Sequence, residues 1–265
     1  FFIGYLLAAK SLSDFYNNID FIIFFIYFLF PANLLIYGIN DIFDYETDKI
    51  NPKKINYEKL LTPDKHKIVY IYILSFNLPF IIYALLRLEL KQIIFLFNFL
   101  FFAIFYSAKP IRAKAKAFLD SFFSAGHYVF TGIFGYYLIY PNKDLPILVT
   151  IFGFLWSMAM HAYSAVPDIN YDKQSNLNTI ATFLGNKNTI LLCLLLYILS
   201  FSILANYNLI FLVGAVPYLA LMMLSLKFAE NDQKLFRIYK IFPYLNTILP
   251  MIWCIYYIIF KLSYL

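Results

Sequence analysis

Long apolar runs recur along almost the whole chain, and they limit it to folds that a lipid bilayer accepts. The chain has 265 residues, of which 62% are hydrophobic and only 14% are charged. A helix needs about 20 consecutive apolar residues to cross a bilayer, and by this measure we predict about nine spans. Their expected bounds are 1–10, 20–39, 68–87, 92–108, 118–140, 147–166, 188–206, 208–226 and 240–261.

The predicted spans use nearly every residue, so they leave no room for a soluble appendage. We therefore expect an all-α, multi-pass integral membrane protein with a single transmembrane domain over residues 1–265. The first residue is Phe1 rather than Met, and we expect the N-terminus to be truncated. Cys193 and Cys254 both fall inside apolar runs, which favours packing roles over a disulfide framework or a thiolate metal site.

Basic residues are distributed unevenly between the two sides of this topology. If the loops after the second, fourth, sixth and eighth spans share one side, that side carries 16 of the 21 Lys and Arg residues. The positive-inside rule assigns such a side to the cytoplasm. The net charge of +6 then follows mainly from topology. It also predicts contact with anionic membrane lipid, and we expect no nucleic-acid partner.

An acidic motif, Asn40-Asp41-Ile42-Phe43-Asp44-Tyr45-Glu46-Thr47-Asp48, follows the second apolar run without a break. Its carboxylates at 41, 44 and 48 have i, i+3, i+7 spacing, so a helix presents them on one face. Carboxylates near hydrocarbon are costly and usually functional. Clustered carboxylates suit Mg²⁺, which bridges them to substrate phosphates. A solvated acidic loop is the plainer interpretation, and Glu46 lies off the shared face.

A second acidic motif, Asp168-Ile169-Asn170-Tyr171-Asp172, follows the sixth run on the same predicted side. Its two carboxylates, at i and i+4, share a face if the segment is helical. Alone, such a pair is common at helix ends. Pro167, directly before it, predicts a bend or break in the sixth span. Together the two motifs predict a cation site at the cytoplasmic mouth of a central cavity.

A basic stretch, residues 106–116, follows the fourth span. Positive-inside topology alone explains Lys109 and Lys116. Arg112 and Lys114, with Tyr106 as a further donor, are candidates to bind a diphosphate leaving group.

Four other polar residues are less informative. His66 is expected to be solvated, whereas His127 and His161 fall inside spans, where hydrogen bonding to a neighbouring helix is the common role. Asp120, at the start of the fifth span, is expected to cap a helix or to orient a basic neighbour.

These motifs resemble those of the UbiA superfamily of intramembrane prenyltransferases. The family pattern N-D-x-x-D-x-x-x-D is matched by Asn40, Asp41, Asp44 and Asp48, and its second D-x-x-x-D by Asp168 and Asp172, with Thr179 and Gly185 trailing. The family's Tyr-Ser-x-x-Pro-x-Arg/Lys-x-Lys stretch is matched by Tyr106, Ser107, Pro110, Arg112 and Lys114. The resemblance extends over the whole chain.

The resemblance implies a role for each matched residue. Two Mg²⁺ on a prenyl diphosphate would be held by five residues: Asn40, Asp44, Asp48, Asp168 and Asp172. Asp41 would support this shell. The diphosphate would be bound by Arg112 and Lys114, with Tyr106 and Lys173 beside them. The implied reaction is ionisation of the allylic C–O bond, attack by an electron-rich hydrophobic acceptor, and loss of a proton.

Residues 40–54, 118–121 and 165–169 look most like the branch that prenylates carotenoids, the lycopene elongases. That likeness implies dimethylallyl diphosphate as donor and a terminal alkene of lycopene as acceptor. Aromatic quinone precursors, chlorophyllide-type or haem acceptors and a glycerophospholipid precursor stay open. From other classes, a transporter with an intramembrane acidic cation site and a non-catalytic membrane scaffold also stay open.

Overall fold

A computed structural model describes residues 1–49, 60–145 and 147–262, without the side chain of Lys261. Within these ranges the chain is helical and forms no β-strand; one isolated parallel bridge joins Lys116 to Asn178. Three basic residues that contribute to the charge asymmetry, Lys53, Lys54 and Lys59, lie outside the described residues, as does the end of the 40–54 stretch.

Contacts divide the chain into two compact units, which we describe separately. The first is Phe1–Ala113 with Phe130–Lys143, and the second is Lys114–Val129 with Asp144–Leu265. The prediction of one transmembrane domain over residues 1–265 stays a prediction.

In its described residues, the first unit contains six helices and the end of a seventh. They are α1 (Phe2–Ala8), α2 (Ser13–Asn17), α3 (Ile19–Leu29), α4 (Pro31–Asp48), α5 (Pro63–Arg87), α6 (Leu90–Ser107) and the last part of α7 (Leu119–Tyr137). Local chemistry sets several of these starts. Asn18 caps α3 by accepting the Phe21 N–H. Pro31 opens α4, where a missing N–H costs nothing. Glu89 and Gln92 form a capping box at α6.

Close packing of α4 against α5 positions the first acidic motif. Gly38 lies two residues before the motif, and a Cβ built there would be 2.9 Å from Ile73 Cδ1 and 3.2 Å from Val69 Cγ1. Deeper in the unit, the buried Asn77 amide on α5 donates to the carbonyl of Pro31 at 3.0 Å, which ties down the start of α4. The helix that carries the motif is therefore anchored at its start and close to the motif.

The part of the second unit that the structure describes contains the first part of α7 and six further helices. They are α8 (Ile147–Ser164), α9 (Ile169–Gln174), α10 (Ile180–Leu204), α11 (Phe211–Lys227), α12 (Asp232–Tyr239) and α13 (Phe242–Tyr257). A 3₁₀ turn, Val166–Asp168, separates α8 from α9, as the proline at 167 predicts. The buried core includes the hydrogen bond between Tyr163 Oη and Ser225 Oγ, at 2.7 Å. Cys193 is buried and Cys254 half-buried, and both are free thiols.

Six stretches of the described chain are long and apolar enough to span a membrane: Ile19–Asp48, Pro63–Arg87, Leu90–Ser107, Ile147–Gln174, Ile180–Leu204 and Asp232–Phe260. Phe211–Lys227 is apolar but shorter. The prediction of an all-helical protein with several membrane spans is thus confirmed, whereas the count of nine stays a prediction. The expected first span is the seven-residue α1 in the structure, and Pro31 begins a new helix inside the expected second span.

Candidate active site

The first acidic motif forms the last part of α4, which continues to Asp48 as the sequence predicts. Asp44 is buried, with 5% of its surface exposed, and Asn40, Asp41 and Asp48 are half-buried. Because helical spacing places 41, 44 and 48 on one side of α4, the carboxylates share a face. The unit thus keeps these costly groups together next to its core.

Glu46 does not belong to that face. Its side chain is exposed and forms an ion pair with Lys49, just beyond the helix. The hydrogen bond that the Lys49 ammonium donates to this carboxylate raises the pKa of Lys49. The separation of Glu46 from the shared face, predicted from its position, is therefore observed.

Ser107, the last residue of α6, binds the first residue of the motif. Its hydroxyl donates to Asn40 Oδ1 at 3.0 Å, and the serine is 1% exposed. A carbonyl oxygen has two lone pairs, so Asn40 Oδ1 can accept this bond and still face a cation. Tyr106, the residue before Ser107, lies half-buried on the same last turn of α6.

Arg112 brings a positive charge to Asp44. The distance from its terminal nitrogen to Asp44 Oδ1 is 3.9 Å. Its Nε is buried and has no hydrogen-bond partner among the described residues. Guanidinium N–H groups in such a setting are well suited to bind anionic oxygens. Among the described residues, Arg112 thus has an unused donor, Nε, beside the acidic face.

The second acidic motif lies on the 3₁₀ turn and the short helix α9. Asp168 ends the turn and is exposed, whereas Asp172 is half-buried on α9. The two carboxylates are electrostatic neighbours, as their i, i+4 spacing predicts. Lys173 is exposed in the last turn of α9.

Asp172 is surrounded by polar groups of its own unit. Thr179 Oγ1 donates to Asp172 Oδ2 at 3.2 Å. The buried Lys114 and the fully buried Asp120 are its charged neighbours besides Asp168. Lys114 follows Arg112 by two residues, so the same basic stretch supplies one cation near each acidic motif.

Backbone strain is concentrated in the loops that carry these groups. Three non-glycine residues of the described chain have positive φ: Arg112 at 45°, Phe118 at 69° and Asn176 at 54°. Two lie between α6 and α7, and the third lies between α9 and α10. Such conformations cost of order 1–3 kcal/mol each and cluster at functional sites. In the first unit, Arg112 is thus both a strained residue and the cation beside Asp44.

The donor set fits a hard divalent cation, because the candidate ligands in both motifs are carboxylate and amide oxygens, the ligands that Mg²⁺ prefers. Within the described residues, no three His, Cys, Asp or Glu side chains form a group arranged to bind a metal ion. The individual metal ligands therefore stay predictions.

Some contacts at the site were not anticipated from the sequence. The hydrogen bond from Ser107 to Asn40 joins residues 67 positions apart. The bond from Thr179 to Asp172 joins residues seven positions apart. The Tyr-Ser stretch and the trailing threonine were the available signals. His127 is buried on α7, and His161 is half-buried in the last turn of α8, seven residues before Asp168.

Comparison with known families decides the class of the protein. The UbiA prenyltransferase family matches residues 1–246. The chain belongs to this family. The prediction of a prenyltransferase rather than a transporter or a scaffold is thereby confirmed at the level of the family.

Two relatives of this UbiA-family chain are named lycopene elongase/hydratase. The chain is 34% identical over 198 residues to the lycopene elongase/hydratase of Haloarcula japonica. The matched region covers 75% of this chain and 66% of that protein. It is 32% identical over 252 residues to the lycopene elongase/hydratase of Haloferax volcanii. Here the matched region covers 94% of this chain and 80% of that protein. The chain thus spans about two thirds of the first relative's length. The predicted likeness to the lycopene elongases is confirmed.

A solved structure shares the fold. The UbiA homolog from Archaeoglobus fulgidus bound to GPP and Mg²⁺ superposes with a TM-score of 0.67 at 16% identity, covering 97% of this chain and 94% of that one. At this identity the likeness shows the fold alone.

Proposed function

We propose that this UbiA-family protein transfers a prenyl group from an allylic prenyl diphosphate to a hydrophobic acceptor in the membrane, and that the acceptor is a carotenoid such as lycopene. One observation carries the donor half of the proposal. Arg112 lies beside Asp44, and Lys114 lies near Asp172, so each acidic motif has a cation suited to a diphosphate. The names of the two relatives support the acceptor.

The proposed metal ligands are those of the two acidic motifs, namely Asn40, Asp44, Asp48, Asp168 and Asp172, with Asp41 supporting them. We expect two Mg²⁺, which when bound neutralise the diphosphate and stabilise it as a leaving group. Support comes from the all-oxygen donor set and from the Archaeoglobus fulgidus homolog, which was solved bound to GPP and Mg²⁺.

The residues of this chain then act on the diphosphate end of the donor. Arg112 and Lys114, with Tyr106 and Lys173, bind its oxygens as the allylic C–O bond breaks and the electron pair stays on the diphosphate. The terminal alkene of the acceptor forms the new C–C bond with the allylic carbon, and the product loses a proton. Exclusion of water keeps the allylic cation from hydrolysis.

We further propose about nine spans around a central cavity that opens near the cytoplasmic face. The concentration of 16 of the 21 basic residues on one predicted side supports this orientation. Single cysteines at the exposed Lys187 and Lys143, in a background without Cys193 and Cys254, test it. A membrane-impermeant thiol reagent applied outside intact cells should label Lys143→Cys only. Labelling of Lys187→Cys instead would show that the orientation is the opposite of the proposed one.

The function is tested with the purified full chain in lipid nanodiscs, a radiolabelled allylic diphosphate, Mg²⁺ and a panel of acceptors. We expect Mg²⁺-dependent release of diphosphate and a longer carotenoid when lycopene is present. Asp44→Ala and Asp168→Ala should abolish both. Asp64→Ala is the matched control, because this exposed carboxylate lies in the first turn of α5, outside both motifs.

Different failures have different meanings. If diphosphate release never depends on Mg²⁺, or survives both motif substitutions, the proposed chemistry is wrong. If the prenyl group reaches an aromatic acid but not lycopene, the donor chemistry stands and the acceptor is an aromatic quinone precursor.

A further inference from the structure

Asp120 is the most completely buried carboxylate of the second unit, and the proposed reaction does not use it. Its exposed fraction is 0%. Oδ1 accepts the N–H of Ser121 at 2.7 Å, and Oδ2 accepts the N–H of Ile180 at 2.7 Å. Ser121 is its neighbour on α7, whereas Ile180 lies 60 residues further along the chain. A buried charge at this place therefore has a long-range structural partner.

Ile180 is the first residue of α10, so Asp120 lies at the positive end of that helix. The first N–H groups of a helix lack partners within it, and a carboxylate there offsets the helix dipole. Thr179 is the residue before Ile180 and caps α10 by accepting the N–H of Thr182 at 3.2 Å. Asp120 and Thr179 together fix the start of α10.

The same threonine reaches the second acidic motif. Its hydroxyl donates to Asp172 Oδ2 at 3.2 Å, with Thr182 Oγ1 at 3.3 Å as the other acceptor in reach. The backbone of the intervening loop is also bound to Asp172, because the Leu177 N–H donates to its carbonyl at 2.8 Å. Thr179 thus orients the side chain of Asp172. It directly precedes Ile180, whose N–H Asp120 accepts.

A parallel bridge between Lys116 and Asn178 gives the arrangement a second connection. It pairs the segment before α7 with the segment before α10. The loop that follows Asp172 is therefore attached to the segment of Asp120 at two places. The bridge holds Asn178, and the Asp120 carboxylate holds Ile180.

We propose that Asp120 is a positioning residue for Asp172, acting through Ile180 and Thr179 at the start of α10. The inference rests on the proposed function, in which Asp172 is a metal ligand. Asp120 is 0% exposed and both of its oxygens accept backbone N–H groups, so we assign it an orienting role. Groups that orient a metal ligand typically change metal affinity or activity by about 10–100-fold when removed.

The first test replaces the carboxylate and the hydroxyl separately. Asp120→Asn keeps the shape but turns an NH₂ group towards one of two backbone N–H donors. Thr179→Val removes the donor to Asp172, and Thr179→Ser restores it. Each full-length variant is titrated with Mg²⁺ in the presence of GPP, with the shift in melting temperature and the rate of diphosphate release as separate readouts.

We expect Asp120→Asn and Thr179→Val each to raise the Mg²⁺ concentration for half-saturation by about tenfold or more in both readouts. Thr179→Ser should stay close to the wild type. The double variant should show less than the product of the single effects, because both act through one route. Asp14→Asn is the control, since Asp14 Oδ2 accepts the N–H groups of Lys10 and Ser11 at the start of α2. It should lower the melting temperature without changing the Mg²⁺ dependence.

Ile180→Pro provides a second variant in case Asp120→Asn does not fold. Proline suits the first position of a helix and lacks the N–H that Asp120 accepts. Ile180→Val, which keeps this N–H, controls for lost packing. We expect Ile180→Pro, but not Ile180→Val, to raise the Mg²⁺ concentration for half-saturation. An unchanged half-saturation in Asp120→Asn or Ile180→Pro, beside a wild type that is Mg²⁺-dependent, overturns the inference alone. A wild type without Mg²⁺-dependent chemistry overturns the proposed function.

Discussion

The hydroxyl of Ser107 donates to Asn40 Oδ1 at 3.0 Å and so joins the last residue of α6 to the first residue of the acidic motif on α4. The bond fixes the amide orientation, with its oxygen towards α6. The serine is almost fully buried, so water cannot replace the donor.

Ser107→Ala should therefore weaken Mg²⁺ use more than it weakens the fold. Loss of one such hydrogen bond costs about 1 kcal/mol of stability, whereas loss of a group that orients a ligand changes metal affinity by about tenfold or more. Mg²⁺ titration of diphosphate release checks this. Ser200→Ala is the control, because Ser200 is equally buried but donates to Tyr197 O within α10; an equal change in both variants would contradict the role of Ser107.

Arg112→Ala should raise the KM for the prenyl diphosphate. Hydrogen bonds to charged groups contribute about 1.5–3 kcal/mol, which corresponds to about tenfold or more in affinity. Arg112→Lys should recover part of the loss, because it restores the charge but not the guanidinium geometry. Steady-state kinetics with varied donor measures both. Arg237→Ala, at an exposed position of α12, should leave KM unchanged; a similar rise there would mean that total charge matters more than position.

Glu46→Gln should leave activity close to that of the wild type, whereas Asp44→Asn should abolish it. The two carboxylates are two residues apart on α4, but Glu46 is exposed and pairs with Lys49, whereas Asp44 is buried beside Arg112. Diphosphate release at saturating Mg²⁺ compares them. Strong inactivation by Glu46→Gln would show that its pairing with Lys49 does not persist when substrate is bound.

Gly185→Ala should destabilise the protein although its Cβ would meet no atom within 4 Å. The residue has φ 76° and ψ 168°, a conformation almost restricted to glycine, and we expect a cost of about 1–3 kcal/mol. Gly132→Ala is matched, because it also has open space but is helical, and it should be neutral or stabilising by up to about 1 kcal/mol. Thermal unfolding in detergent measures both; equal effects would contradict the backbone explanation.

Periodicity predicted the parts of the site that depend on a single element. The spacing of Asp41, Asp44 and Asp48 predicted one helical face, and the helix continues to Asp48. Pro167 predicted the break between α8 and α9. Hydropathy also located most of the long helices, because a span must be apolar over its whole length.

Contacts between distant segments were not predictable in this way. The pairing of Asp120 with Ile180 depends on how α7 and α10 pack, and neither residue signals the other in the sequence. A helix cap or a basic partner was the expectation for Asp120, and the structure shows a cap on a different helix. The interruption at Pro31 was missed because its neighbours keep hydropathy high across the break.

The two acidic motifs have supports of very different length, since α4 has 18 residues and α9 has six. A short helix held by a few hydrogen bonds opens locally at a lower free energy than a long packed one. Gentle warming should therefore inactivate the enzyme reversibly while its helical circular dichroism is still intact. The temperature at which catalysis fails would then measure the local opening of α9, and substrate with Mg²⁺ should raise it.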